Sequence, residues 1–154
     1  MEKLIIVAGS PNTGKTLSTQ KLITKLLENK ASCLKYFDYE KKEWKIFKDN
    51  DNLIHGAVII EYNKKRICII TYGDLEEQLT SLFDSHEIEK CDIVVCCSHA
   101  TRGKKVFGFF HDWIKENIDL KKTKLIPLFK NFLCNYGDIN LENEYTADLL
   151  FSLL

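Results

Sequence analysis

The sequence predicts an α/β protein, a three-layer sandwich with a mostly parallel sheet and one antiparallel edge strand. Short apolar, β-branched segments alternate along the chain with segments of helical periodicity, in the order βαβ(ββ)αβαβα. The first apolar segment passes through a short turn directly into a helix, which is how a right-handed βαβ unit begins. The length of 154 residues suits a single domain, residues 1–154.

The first part of the chain supplies two strands with a helix between them. Leu4–Ala8 is an apolar run, and the helix after it ends near Asn29. That helix carries an apolar stripe at Leu17, Leu22, Ile23, Leu26 and Leu27. Ser32–Phe37 is predicted to be the second strand and to finish at Asp38. Residues 39–52 are charged and aromatic, which predicts a loop or a loosely paired strand.

A hairpin follows, formed by His55–Tyr62 and Arg66–Tyr72 with Asn63–Lys65 as its turn. Its second arm is the more continuously apolar, so we place that arm in the centre of the sheet, next to the first strand. The first arm is then the antiparallel edge strand. This placement brings the end of the second arm close to the turn that follows the first strand.

The rest of the chain alternates helix and strand. The predicted segments are the helix Asp74–Asp84, the buried strand Cys91–Ser98, the helix Lys104–Asn117, the strand Lys124–Phe129 and the helix Leu141–Leu154. Pro127 cannot donate a ladder hydrogen bond, so the last strand is predicted at a sheet edge or to end there. The final helix carries Tyr145, Leu149, Leu150 and Leu153 on one face, which we expect to cover the sheet.

The turn after the first strand carries the most specific pattern in the chain. Gly9-Ser10-Pro11-Asn12-Thr13-Gly14-Lys15-Thr16 fits G-x-x-x-x-G-K-[ST] at every fixed position. Glycines let the backbone approach an anion closely, and the start of the helix adds its positive end. Lys15 supplies a mobile positive charge for the β and γ phosphates of a nucleotide, and Thr16 offers a hydroxyl to Mg²⁺.

Residues 3–27, which hold this strand, turn and helix, resemble the P-loop NTPases. The resemblance implies the P-loop NTPase fold, a bound nucleoside triphosphate and Mg²⁺. It implies nucleotide contacts from Gly9, Asn12, Thr13, Gly14, Lys15, Thr16 and Leu17.

The same resemblance implies an acidic residue near the end of a strand, which serves the metal ion. Neither of the two strands predicted at the centre of the sheet, Arg66–Tyr72 and Cys91–Ser98, is followed directly by Asp or Glu. Asp74, three residues after Thr71, is the first candidate for this role together with Thr16, and Asp38 is the second. A plain helix N-cap is the alternative role of Asp74, and the two roles are compatible.

Two further residues follow the strand Cys91–Ser98. Arg102 lies in the loop after it and could stabilise charge on a transferring phosphoryl group, although a solvated surface arginine fits equally well. His99 is a candidate general base or a bystander. The N-K-x-D motif of GTPases is absent from the corresponding stretch, Leu128–Phe132, so we expect ATP rather than GTP.

These observations predict a small NTPase that binds and hydrolyses Mg-ATP, with Lys15, Asp74 and Arg102 as its catalytic residues. A kinase that phosphorylates a small molecule or a nucleotide is the first alternative, although Arg66 and Arg102 are too few for an arginine-rich lid. A nucleotide-binding switch with weak hydrolysis is the second alternative. In that case the apolar C-terminal helix would dock on a protein partner.

Composition limits the partners and the compartment. Lys and Arg together number 22, and so do Asp and Glu, so binding to nucleic acid or to an anionic membrane is not indicated. The apolar runs are too short to span a bilayer. None of the six cysteines forms a C-x₂-C pair, and an N-terminal strand is not a signal peptide, so we expect a cytoplasmic protein. Cys91, Cys96 and Cys97 fit core thiols better than zinc ligands.

Overall fold

The computed structural model describes residues 1–10, 12–48, 56–71, 76–99, 112–130 and 139–154. The strands in these ranges are β1 (Lys3–Gly9), β2 (Ser32–Asp38), β3 (Glu43–Ile46), β4 (Ala57–Tyr62), β5 (Lys65–Ile70), β6 (Ile93–His99) and β7 (Lys124–Lys130). The helices are α1 (Lys15–Glu28), α2 (Glu76–Phe83), α3 (His86–Glu89), α4 (residues 112–117) and α5 (Ile139–Ser152). The chain is therefore an α/β protein, as the alternating pattern predicts.

The seven strands form one mixed sheet in the order β3-β2-β4-β5-β6-β1-β7. The pairs β5/β6, β6/β1 and β1/β7 are parallel, and the pairs β2/β3, β2/β4 and β4/β5 are antiparallel. The described sheet therefore differs from the expected mostly parallel sheet with one antiparallel edge strand. Two strands, β3 and β4, run against the other five, and β4 lies inside the sheet because β2 pairs with its outer side.

The expected position of β5 beside β1 is wrong. β6 lies between these two strands and pairs with both. Both β5 and β6 are buried on both faces of the sheet, so hydrophobicity alone does not decide which of them adjoins β1. Pro127 does lie on an edge strand, since β7 ends the sheet, and this prediction is confirmed.

Each face of the sheet has its own hydrophobic core. One core contains Leu22, Ile23 and Leu26 of α1 together with Leu150 of α5. The opposite core contains side chains of α2, α3 and α4, namely Leu79, Leu82, Phe83, Ile88 and Trp113. Helices therefore cover both faces, and the ends of the strands remain the place where loops from both sides meet.

The buried face of α5 differs from the predicted one. Tyr145 and Leu149 are exposed, whereas Asn143, Ala147 and Leu150 are buried. These three residues follow helical spacing, and Lys21 of α1 pairs with Glu144 beside them. Apolar residues occur on more than one side of this helix, so the pattern alone does not select the side that packs. In α1, likewise, Leu17 and Leu27 of the predicted stripe remain exposed.

Four of the cysteines are core residues, as expected: Cys68, Cys91, Cys96 and Cys97. Burial raises the pKa of the Cys96 thiol well above its ordinary value. Within the described ranges, no helix has both the length and the apolar character needed to cross a bilayer.

Candidate functional site

The turn between β1 and α1 has the backbone of an anion-binding loop in the part that is described, residues 9, 10 and 12–16. Asn12 has a φ of 62° and Gly14 a φ of 76°, so two left-handed residues lie two positions apart. Gly14 is also the residue that precedes the first helical residue, Lys15. In anion-binding nests, left-handed residues alternate with right-handed ones and turn successive amide groups toward one side, and the two left-handed residues here fit that pattern.

Both glycines of the loop are required by their surroundings. A Cβ on residue 9 would lie well inside 3.0 Å of the Lys130 carbonyl oxygen, and a Cβ on residue 14 would do the same to Oδ1 of Asn143. Gly14 also has the left-handed conformation that side chains other than glycine adopt at a cost. The fixed glycines of the sequence pattern therefore have a steric reason in this fold.

The Lys15 side chain lies inside the loop. Its ammonium group donates to the backbone carbonyls of Ser10 at 2.8 Å and Gly9 at 3.2 Å, and the residue is only 6% exposed. Burying an ammonium group costs free energy that hydrogen bonds to carbonyls only partly offset. The arrangement places a desolvated positive charge within the concave turn, where it would strengthen the binding of an anion.

Two threonines hold the loop, one through a bond within it and the other through a bond to the end of β5. The Thr13 hydroxyl donates to the Ser10 carbonyl at 2.9 Å and is almost fully buried. The Thr16 hydroxyl donates to the carbonyl of Thr71 at 3.1 Å. Thr71 directly follows β5, so the end of β5 reaches the loop even though β6 separates β5 from β1. The expected proximity is therefore found, although the strand order that suggested it is wrong.

A second buried ammonium group, that of Lys130, lies behind the loop and was not predicted from the sequence. Lys130, the last residue of β7, is 5% exposed and donates to the hydroxyl of Ser18 at 3.0 Å and to Oδ1 of Asn143. Burial lowers the pKa of Lys130, and the nearby Glu142 carboxylate opposes that effect. The alternation in β7, where Ile126, Leu128 and Lys130 share one face, was the available signal.

Of the two acidic candidates for the metal site, Asp38 lies in the described part of the chain and Asp74 does not. Asp38 ends β2, which lies four strand spacings from β1, about 19 Å at the usual separation. Its carboxylate pairs with Lys45 and accepts hydrogen bonds from the backbone amides of Glu40 and Lys41. These contacts, mainly the one with Lys45, hold the pKa of Asp38 below the usual range. The described contacts of Asp38 therefore lie within the β2–β3 hairpin. Asp74 lies outside the described residues.

The remaining predicted residues divide in the same way. Arg102 lies outside the described residues. His99 ends β6, and its backbone is in register with Gly9, which places it at the correct edge of the sheet. Leu17 lies in the first turn of α1 with its side chain half exposed.

The described residues contain no group of three or more His, Cys, Asp or Glu side chains placed to hold a metal ion. Two oxygen atoms near the loop do fit Mg²⁺, which prefers oxygen ligands and retains several waters: the hydroxyl of Thr16 and the carbonyl of Thr71. They could bind the metal only together with phosphate oxygens or a further carboxylate.

Comparison with known proteins adds no family to these observations, because no family model, curated protein sequence or solved structure matches the chain. The geometry of the site therefore has to support a function by itself.

Proposed function

We propose that this protein binds a nucleoside triphosphate, with ATP preferred over GTP, through residues 9–16 in the manner of a P-loop NTPase. One observation supports this most strongly: the ammonium group of Lys15 is buried inside a turn that starts α1, beneath a left-handed Gly14. A helix start, a turn with left-handed residues at Asn12 and Gly14 and a desolvated cation together favour a polyphosphate over other anions.

Mg²⁺ would accompany the nucleotide as a shared ligand of the phosphates and the protein. Thr16 is the described side chain that would reach it, and Asp74 is the proposed acidic partner because it follows Thr71 by three residues. The hydrogen bond from Thr16 to Thr71 supports this pairing, since it holds the start of that segment beside the loop. The metal would neutralise phosphate charge as the terminal phosphoryl group leaves.

Hydrolysis of the terminal phosphate is the activity we propose. In this reaction Lys15 stabilises charge on the phosphates, and Arg102 is proposed to do so on the departing phosphoryl group. Water is the acceptor, so the reaction requires no second substrate pocket.

Phosphoryl transfer to a small molecule is the second candidate, and one feature favours it. A cavity of about 680 Å³ lies between α4 and the β1–β7 edge of the sheet, lined by Ile6, Ala8, Ser98, Ile114, Ile118, Leu125, Pro127, Phe129 and four further residues. Ala8 directly precedes the loop, and Ser98 is its register partner on β6. An acceptor with an apolar body would fit such a cavity.

The test is a ligand survey followed by a turnover assay. Calorimetric titration with ATP, GTP and inorganic tripolyphosphate, each with and without Mg²⁺, should give the tightest binding for Mg-ATP and measurable binding for tripolyphosphate. Phosphate release without added acceptor supports hydrolysis, and label transfer from γ-labelled ATP to an added acceptor supports the kinase. Absence of binding to all three ligands would refute the proposal.

A further inference from the structure

The cluster behind the loop, formed by Lys130, Asn143 and Ser18, is unusual because it is polar and almost fully buried. Lys130 comes from β7, Asn143 from α5 and Ser18 from α1, so it joins three elements that are distant in sequence. All three residues are at most 5% exposed. The carboxylate of Glu142 lies 3.9 Å from the Lys130 ammonium group, further away than the neutral partners.

The orientation of the Asn143 amide follows from its neighbours. An ammonium group only donates, so the oxygen of the amide has to face Lys130. The Ser18 hydroxyl lies 3.2 Å from the same oxygen. The amide nitrogen then has no hydrogen-bond partner in the described structure, although it is buried. An apolar side chain would avoid that cost, so packing alone does not explain an asparagine here.

The cluster touches Gly14 from two directions. The Ser18 hydroxyl is 3.0 Å from the Gly14 carbonyl, and Asn143 fills the space that a Cβ on residue 14 would need. Lys130 also pairs in register with Gly9 at the other end of the loop. The first and second glycines of the loop are therefore both held by residues outside it.

We propose that Lys130 and Asn143 are positioning residues, which act through Ser18 and Gly14 to hold the loop in its anion-binding conformation. They orient the Gly14 peptide and the first turn of α1, and they do not themselves contact phosphate. Their effect on ligand affinity rests on the proposed function of the loop. Their effect on loop conformation does not, and it can be measured without a ligand.

The experiment compares Lys130→Met and Asn143→Leu with the unmodified protein. Amide hydrogen exchange at residue 18 is measured in the ligand-free protein, because the Ser18 N–H donates to the Gly14 carbonyl at 2.9 Å, and tripolyphosphate affinity is measured by calorimetry. Both variants should exchange at least about tenfold faster at this amide and bind tripolyphosphate at least about tenfold more weakly, because the loop samples other conformations more often.

Thr123→Val is the matched control, since Thr123 is buried just before β7 and donates to the Met1 carbonyl far from the loop. It should leave both readouts unchanged whatever it does to the melting temperature. Asn143→Asp keeps an oxygen acceptor for Lys130 and should retain slow exchange at the residue 18 amide. Ser18→Ala is the mildest change, and it should still speed exchange if Lys130→Met does not fold.

Two results would overturn the inference. One is unchanged exchange at the residue 18 amide in Lys130→Met, or in Ser18→Ala if the former does not fold. The other is exchange in Asn143→Asp as fast as in Asn143→Leu. If the unmodified protein binds no tripolyphosphate, the proposed function fails, and the exchange measurements still decide whether these residues position the loop.

Discussion

Two clusters of basic side chains lie at opposite ends of this sheet, and they differ in the groups that accept their hydrogen bonds. Near the start of β5, the Glu87 carboxylate pairs with the ammonium groups of Lys90 at 3.0 Å and Lys35 at 3.1 Å, and also with the guanidinium group of Arg66. At the other end, Lys15 donates to backbone carbonyls and Lys130 to a hydroxyl and an amide oxygen, with the Glu142 carboxylate 3.9 Å from Lys130.

We interpret the Glu87 cluster as a structural use of charge and Lys15 as part of the proposed phosphate site. Hydrogen bonds from Lys90 above all, with contributions from Lys35 and Arg66, lower the pKa of Glu87 to about 2, so this carboxylate stabilises the native state. Lys15 and Lys130 are nearly as buried as core residues, and burial lowers the pKa of Lys130. The cost of burying Lys15 is consistent with its proposed role in binding an anion, whereas Lys130 is proposed to hold the loop in place.

The largest effect is expected from Lys15→Ala. Loss of the buried ammonium group should weaken Mg-ATP and tripolyphosphate binding by a hundredfold to a thousandfold, about 3–4 kcal/mol. The melting temperature should stay the same or rise, because a desolvated charge is removed. The matched control is Lys25→Ala on the same helix, whose ammonium group pairs with Asp148 at 2.6 Å. Equal losses of affinity in both variants would contradict a specific role for Lys15.

Gly14→Ala should act on both stability and binding. An alanine at position 14 would have to adopt a left-handed backbone conformation, and its methyl group would clash with Asn143. We therefore expect a loss of about 2–3 kcal/mol in the free energy of unfolding. Urea denaturation measures it. Part of this loss comes from the contact with Asn143. The double variant Gly14→Ala/Asn143→Ala should therefore lose less unfolding free energy than the sum of the losses in the two single variants. Strict additivity would show that Asn143 does not constrain Gly14.

Glu87→Gln should change stability and leave binding as it was. The pKa of Glu87 falls from 4.5 to about 2 on folding, so its contribution is complete above pH 4.5 and disappears as the pH falls toward 2. At pH 7 we expect a loss of about 1–2 kcal/mol, less than the full shift implies because the cluster is partly solvated. Glu89→Gln, on the same short helix but largely exposed, is the control. A loss that persists unchanged at pH 2.5 would refute this explanation.

The smallest effect is expected from Thr16→Val. Removing the hydroxyl should reduce the gain in ATP affinity that Mg²⁺ provides by about fivefold, near 1 kcal/mol, and leave metal-free binding less affected. Thr24→Val is a suitable control because Thr24 is an exposed threonine of α1 that bonds only to its own helix. If Mg²⁺ assists the Thr16→Val protein as strongly as the unmodified one, Thr16 does not serve the metal.

The sequence predicted the elements better than their arrangement. The strands and the β1–α1 turn were identified because hydrophobic period and glycine spacing are local properties. The place of β6 between β1 and β5 was missed, since both candidate neighbours are apolar on each face.

Alternation in β7 places Lys130 on the same face as Ile126 and Leu128, but no comparable signal marks the burial of Asn143. A lysine at the end of an edge strand and an asparagine in a helix are ordinary surface residues by composition. Their burial results from the packing of α5 against α1, and the face of α5 is not fixed by its own pattern. Only the three-dimensional arrangement shows that both residues lie behind Gly14.

An NMR titration of the isotope-labelled protein with Mg-ATP, followed through its backbone amides, tests most directly whether this loop binds phosphate. We expect large shift changes at residues 12–16 and small ones around Glu87 at the opposite end of the sheet. We also expect Lys15→Ala to abolish these changes at the same ligand concentration. Changes centred away from residues 9–18, or none at saturating Mg-ATP, would contradict the assignment of this loop as the phosphate-binding site.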